Sequence, residues 1–413
     1  MDYKTTELEN GIRVVHKQIK NSQIANIGIM LDIGSRDEMP NEQGLAHFWE
    51  HMAFKGTMRR NSYHIINRLE SVGGELNAYT TKEKICFYAT VLVEYLERAI
   101  ELLVDIVFYS TFQPRQIDRE RMVILEEISM YKDSPEDAIH DEFDELFFPG
   151  QSIGRNILGT EQTVLSFKQE HFISFINRNI DTGRTILSSV GPYEDNVIQK
   201  YAEKYLSRIN KSISKQLREK VNCGKNTSKV VARPVSQMHV VLGSEAFAIS
   251  DSRRMPLFLL TKLLGGPYMN SLLNLSLREK NGLVYSVEAN FSSFQNTGLF
   301  SIYFATDPKH YKRSLGLIEK EVKKLYERPI TATKLKKTKH QIMGNIAMGE
   351  ENNNSVMLMM AKSLLDLGYI PTISKVFDQI NNLSSDLLQE IAVECFSGGF
   401  SMLAFQPMDE KII

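Results

Sequence analysis

Two histidines four residues apart, His47 and His51, flank the glutamate Glu50 in the stretch GLAHFWEHMAF, residues 44–54. On an α-helix, positions i and i+4 lie on one face one turn apart, so both imidazoles can point at the same spot. Such a pair suits a divalent metal, with zinc the usual occupant. Glu50 follows His47 by three residues and borders that face. It can reach a metal-bound water while staying off the ligand positions. That is the placement of a general base: a bound zinc lowers the pKa of its water toward about 7, and an adjacent carboxylate takes the proton as the water attacks a carbonyl. Phe48, Trp49, Met52 and Phe54 make the segment too apolar for an ordinary solvated face, and Gly44 allows a tight start.

A hydrolytic zinc normally takes three protein ligands and keeps one position for water. The acidic run DRERMVILEEISMYKDSPED, residues 118–137, is the candidate source of the third. Glu120 and Glu127 are seven apart and stack on one helical face. Glu126 points about 100° away from Glu127 on a regular helix.

The elements that must carry these residues occur twice along the chain. Apolar strands open each half, ANIGIMLDIG (25–34) and QMHVVLGSEAF (237–247). Each leads into an amphipathic helix, GLAHFWEHMAF in one and MPLFLLTKLLGG (255–266) in the other, and then into paired strands at 75–93 and 283–308. Two long helical runs follow in both, and short strands close them, GRTILSSVG (183–191) and FSMLAFQP (400–407). Strands alternating apolar and polar, mixed with helices without a regular βα alternation, predict an α+β fold. The expectation is two homologous domains, each a mainly antiparallel sheet with helices packed on one face. The boundaries fall at 1–210, a polar, basic linker at 211–234, and 235–413.

The 413 residues are 42% apolar, enough for sizeable cores, with 49 basic against 50 acidic residues and a net charge of −1. That balance argues against a nucleic-acid partner. The N-terminus shows no secretory signal, and the longest uncharged apolar run, residues 85–93, is far short of the roughly 20 needed to span a bilayer. Cys86, Cys223 and Cys395 are widely separated and read as reduced thiols. A cytoplasmic protein without a membrane partner is the expectation.

H-x-x-E-H is the inverzincin signature. With an acidic helix some 75 residues later, the chain resembles the M16 metallopeptidases, the group of pitrilysin, insulin-degrading enzyme and mitochondrial processing peptidase. GLAHFWEHMAFKGT is similar to the family's zinc helix, GGELNAYTTKEKICFY (73–88) to its edge strand, ERMVILEEI (120–128) to its carboxylate helix, and LREKNGLVYSV (277–287) to an R-x-x-x-G-L-x-Y element of its second half. The resemblance implies the fold shared by the processing peptidases and LuxS. It implies one zinc per chain on His47, His51 and Glu127, with Glu120 supporting the site from behind. It further implies Glu50 as general base, Asn77 and Ala78 as holders of the substrate backbone, and Arg278 and Tyr285 as contacts to the substrate and its oxyanion. The implied activity is endopeptidase cleavage of unfolded peptides. The implied partners are peptide substrates and a second chain, identical or a sister, because the long members of the family close two such halves on the peptide. The alternative is a non-catalytic subunit of such a pair, against which the intact zinc residues count.

Overall fold

The computed structural model describes residues 3–214, 218–224 and 226–408, so the stretch read as a linker lies partly outside the described residues. The chain forms two compact units. The first comprises Met1–Ser129, Arg155–Glu219 and Met348–Ile370, and the second Met130–Gly154, Lys220–Ala347 and Pro371–Ile413. Each unit therefore draws on both halves of the sequence.

The strands of unit 1 are β1 (Tyr3–Glu7), β2 (Arg13–Gln18), β3 (Ile24–Leu31), β4 (Glu75–Thr80), β5 (Ile85–Leu92) and β6 (Thr185–Gly191). Those of unit 2 are β7 (Ser228–Arg233), β8 (Met238–Ala246), β9 (Val284–Ser293), β10 (Gly298–Thr306) and β11 (Ser401–Pro407). In chain order, the helices that bear on the site and cores are α1 (Leu45–Ala53), α2 (Leu96–Phe108), α3 (Pro114–Asp133), α4 (Pro135–Phe147), α5 (Gln169–Asn179), α6 (Arg254–Gly265), α7 (Tyr311–Glu327), α8 (Asn353–Leu367) and α9 (Ser385–Phe396).

The sheet of unit 1 runs β1-β2-β6-β3-β5-β4 and that of unit 2 runs β7-β11-β8-β10-β9. In the first, β2 and β6 are parallel and the other pairs antiparallel. In the second, β7 and β11 are parallel and the rest antiparallel. Apart from β1, the two sheets match strand for strand, with β2, β6, β3, β5 and β4 answering to β7, β11, β8, β10 and β9. This is the α+β duplication expected from the sequence. Strand β7 falls inside the polar linker stretch. It is an edge strand with mostly exposed side chains, so its composition carries no apolar alternation.

Helices cover both faces of each sheet, one face more than the sequence reading placed. In unit 1, Val15, Met30, Cys86, Ile186 and Val190 pack against Val356, Met357, Met360, Ala361 and Leu364 of α8. Phe87, one residue along β5 from Cys86, faces the opposite side and meets Trp49 and Phe54. In unit 2, Val241, Leu299, Tyr303 and Phe405 pack on α4, while Val240, Phe300 and Ile302 point into the core built with α6, α7 and α9. Central strands covered on both faces lose their alternation: β6 is buried at every residue and β3 at all but its first. Contact with α8 is close. A Cβ on Gly28 would lie 2.9 Å from Met357 Sδ, and the Ser188 hydroxyl donates to the Met357 carbonyl at 2.7 Å. No helix among the described residues is long and apolar enough to cross a membrane.

Met357 is fully buried under the sheet. Met357→Ala is expected to lower the unfolding free energy by about 2–5 kcal/mol in urea denaturation. A change under about 0.5 kcal/mol would mean that α8 does not hold this face.

Candidate metal centre

Helix α1 is anchored by its apolar side. Phe48 and Trp49 are fully buried, with Phe48 against Phe167 and Phe172 and Trp49 against Phe87 and Phe175. Its first turn is fixed by Gly44 at φ 91°, where a Cβ would come within 2.4 Å of the Leu158 carbonyl. Buried Glu38 caps the helix by accepting from the backbone N–H of Gly44 at 3.0 Å and of Ala46 at 2.8 Å. Its burial pushes the Glu38 carboxyl well above the usual carboxylate range, with those two donors pulling the other way.

With that face committed to the core, His47 and His51 emerge together on the other, their ring centroids 4.6 Å apart. Helix α3 brings Glu127 to them. Its Oε2 lies 3.8 Å from His47 Nε2 and 3.5 Å from His51 Nε2. One donor atom from each of the three residues lies within 4.8 Å of the others, the one such group among the described residues. Ligand atoms around a tetrahedral zinc, at about 2.0–2.1 Å from the metal, stand roughly 3.3 Å apart. At 3.8 and 3.5 Å from the two nitrogens, the Glu127 oxygen stands close to that spacing. Glu126 is exposed on the adjacent face of α3, as the helical angle predicts.

The residues behind the donors set their state. Glu120 Oε1 lies 2.9 Å from His51 Nδ1, which fixes the tautomer with the Nε2 lone pair free for a metal. Lys55 Nζ holds the other Glu120 oxygen at 2.7 Å. Burial pushes Glu120 up, but the hydrogen bonds from His51 and Lys55 outweigh it and keep the carboxyl below its ordinary value. His47 has no such brace: its Nδ1 is buried without a hydrogen-bond partner, and packing alone orients the ring. Burial, helped by His51, pushes His47 down to about 3, so the imidazole is neutral near pH 7. Burial also holds Glu127 above its ordinary value, with His51 opposing and Glu120 adding.

Glu50 is half-buried beside this group and accepts a 2.5 Å hydrogen bond from Thr80 Oγ1. Burial raises its pKa, the Thr80 hydrogen bond and His51 lower it, Glu127 raises it, and the net direction is upward. Thr80 ends β4, which is the open edge of the sheet. On the same strand Asn77 is exposed and Ala78 half-buried, opposite Tyr88 and Phe87 of β5. Five of the predicted site residues and the predicted edge strand thus meet within unit 1. Arg278 and Tyr285 lie in unit 2, where they meet each other: the Arg278 guanidinium sits 5.8 Å from the centre of the Tyr285 ring, and Tyr285, on edge strand β9, is 83% exposed. Sequence reasoning missed Glu38, Lys55 and Thr80. Glu38 reaches the helix start from six residues before Gly44, outside the local capping pattern, and nothing local marked any of the three.

The matching helix of unit 2, α6, reads RMPLFLLTKLLG and offers no histidine or carboxylate. The chain belongs to the M16 peptidase family. Residues 13–161 match the family described as Insulinase (Peptidase family M16), and residues 166–342 match the Peptidase M16 inactive domain. The uncharacterized zinc protease YmxG of Bacillus subtilis is 31% identical, covering 97% of each chain. An uncharacterized zinc protease of Streptomyces coelicolor is 30% identical over 99% of this chain and 90% of its own. Among solved structures, a protease from Helicobacter pylori has the same fold at a TM-score of 0.89 and 19% identity, covering 98% of this chain and 99% of its own. A peptidase M16 inactive domain structure from Pseudomonas fluorescens matches at a TM-score of 0.91 and 17% identity over the full length of both chains.

Glu120 contacts the candidate donor His51 through Nδ1 and is not itself among the candidate donors. Glu120→Gln should weaken binding of added zinc about 10–100-fold in a competition titration with a chelating dye. Unaltered affinity would remove Glu120 from the site's support.

Proposed function

We propose that this chain is a zinc-dependent endopeptidase acting on extended, unfolded peptides. The observation that carries the reading is the convergence of His47, His51 and Glu127 beside Glu50, with Glu50 tied through Thr80 to an open sheet edge. The names of the zinc protease relatives support it.

In this reading His47, His51 and Glu127 hold one zinc per chain, which would supply a Lewis acid for the scissile carbonyl and the attacking water. The substrate adds to β4 as a further strand through main-chain hydrogen bonds, with Asn77 and Ala78 lining that edge. Strand addition requires an extended backbone, which selects unfolded chains. Glu50, held by Thr80, takes the water's proton and delivers it to the leaving amine, and its raised pKa brings it closer to a value suited to both transfers. Tyr285 and Arg278, already paired on the surface of unit 2, would donate to the oxyanion and the substrate. The three cysteines are free thiols, which fits the reducing cytoplasm.

Glu50→Gln should retain zinc, confirmed by elemental analysis, while cleavage of an unstructured peptide falls about 10²–10⁴-fold. Near-normal turnover, or a lost metal, would contradict the assigned role. The partner is proposed as a second copy of this chain whose Arg278 and Tyr285 complete the site. Dead Glu50→Gln and Tyr285→Phe chains, dissociated and re-paired, should then regain about one quarter of wild-type activity, since half the dimers are mixed and each has one intact site. A mixture as inactive as its parents, with exchange confirmed by mass, would rule out the shared site.

A further inference from the structure

Strand β4 ends in a buried, charged turn. Residues 81–84, TKEK, join β4 to β5, and Lys82, Glu83 and Lys84 are 8%, 4% and 6% exposed. Lysine and glutamate are almost never buried to this degree unless they are paired. The turn between the matching strands of unit 2, residues 294–297 between β9 and β10, reads FQNT and carries no charge. The charges therefore belong to the unit with the candidate donors and not to the sheet plan.

Each of the three holds a segment close to where the chain enters or leaves unit 1. Lys82 Nζ donates at 2.5 Å to the carbonyl of Arg155, the first residue of the segment Arg155–Glu219. Glu83 accepts from Arg36, which also donates at 3.1 Å to the carbonyl of Glu219, the last residue of that segment. Lys84 Nζ lies 2.5 Å from Asp366 Oδ1, with side chains 7% and 10% exposed. Asp366 stands near the end of α8, shortly before the chain leaves unit 1 at Ile370.

The turn reaches Glu50 in two steps. Thr81 and Lys84 close it: the Thr81 N–H donates to the Lys84 carbonyl at 2.7 Å, and the Lys84 N–H donates to Thr81 Oγ1 at 2.9 Å. Thr80, the residue before, pairs with Ile85 across the strands and holds Glu50 through its hydroxyl. A contiguous path of polar contacts and backbone thus runs from Asp366 on α8 to Glu50 on α1.

We propose, on the reading of Glu50 as general base, that Lys84 is a positioning residue for it. The ion pair with Asp366 fixes the turn, the turn fixes Thr80, and Thr80 fixes the carboxylate. Helix α8, drawn from the far end of the sequence, then serves the base as well as the sheet it covers.

Cleavage of an unstructured peptide by the zinc-loaded full chain, lost on chelation, is the control for the general-base reading. Lys84→Met/Asp366→Leu removes both charges together and fills their space with apolar groups, a replacement that buried ion pairs often tolerate. It should keep the thermal melt, the zinc affinity and KM, while kcat falls about 10–100-fold, the scale of an ångström-sized misplacement. Lys84→Arg, which keeps the ion pair, should retain most of kcat. Thr80→Val should lower kcat by itself, and adding the apolar pair to it should lower kcat no further, since both act along one path. Hydrogen exchange, which needs no activity, should quicken across residues 79–85 in the apolar pair and stay at the wild-type rate in Lys84→Arg. Asp366→Asn, a milder break of the same pair, is read in the same way if the apolar pair does not fold. Wild-type kcat in the folded variant, a kcat loss matched by lost zinc affinity, full additivity with Thr80→Val, or unaltered exchange at residues 79–85 would each overturn the proposal. A wild-type chain that cleaves nothing would count against the general-base reading instead, and the exchange rates would still decide whether Lys84 holds the turn.

Discussion

Helix α1 has one side locked into an aromatic core and two imidazoles on the other, and the candidate metal centre depends on that division. If Phe48 and Trp49 were free to shift, His47 and His51 would move with them, and a site that tolerates errors of about half an ångström would be lost. The same burial takes His47 out of water and keeps it neutral, which a metal ligand must be. Glu38 and Gly44 set where the helix begins, and hence which residues share a face. Glu120 and Lys55 then fix the one ring that remains half-exposed. The chemistry is local, but its precision is borrowed from packing.

Duplication supplied two copies of one sheet, and the copies have diverged in the side chains they carry. At the helix after the second shared strand, unit 1 carries the candidate donors and unit 2 carries leucines, so α6 serves the core where α1 serves the candidate site. The difference arises from side chains on a shared backbone plan.

The candidate metal donors could be grouped from the sequence because they obey short-range rules. Spacing of four on a helix pairs His47 with His51, and spacing of seven with a 100° offset separates Glu127 from Glu126. The strands of the sheet centre were legible from apolar runs. Thr80 and Lys55 were not, because each matters only through a partner 30 or more residues away. Strand β7 was hidden by the polar side chains of an exposed edge. Arg218 looked like part of a solvated linker, whereas it is buried among acids that no local pattern connects to it. The placement of α4 and α8 on the sheets of the opposite halves was also invisible, since an apolar helical face does not name the surface it covers.

That placement governs how the chain can be made. During synthesis the first sheet has all its strands once Gly191 has emerged, yet Met30, Cys86 and Val190 keep a bare apolar face until the segment through Ile370 follows. At about 5–20 residues per second, that interval is roughly ten to forty seconds. Throughout it, an oily surface with formed strands is offered to chaperones and to neighbouring nascent chains. Neither half of the sequence can be expressed alone without leaving one sheet uncovered, so the two units share a single folding fate although their sheets repeat one design.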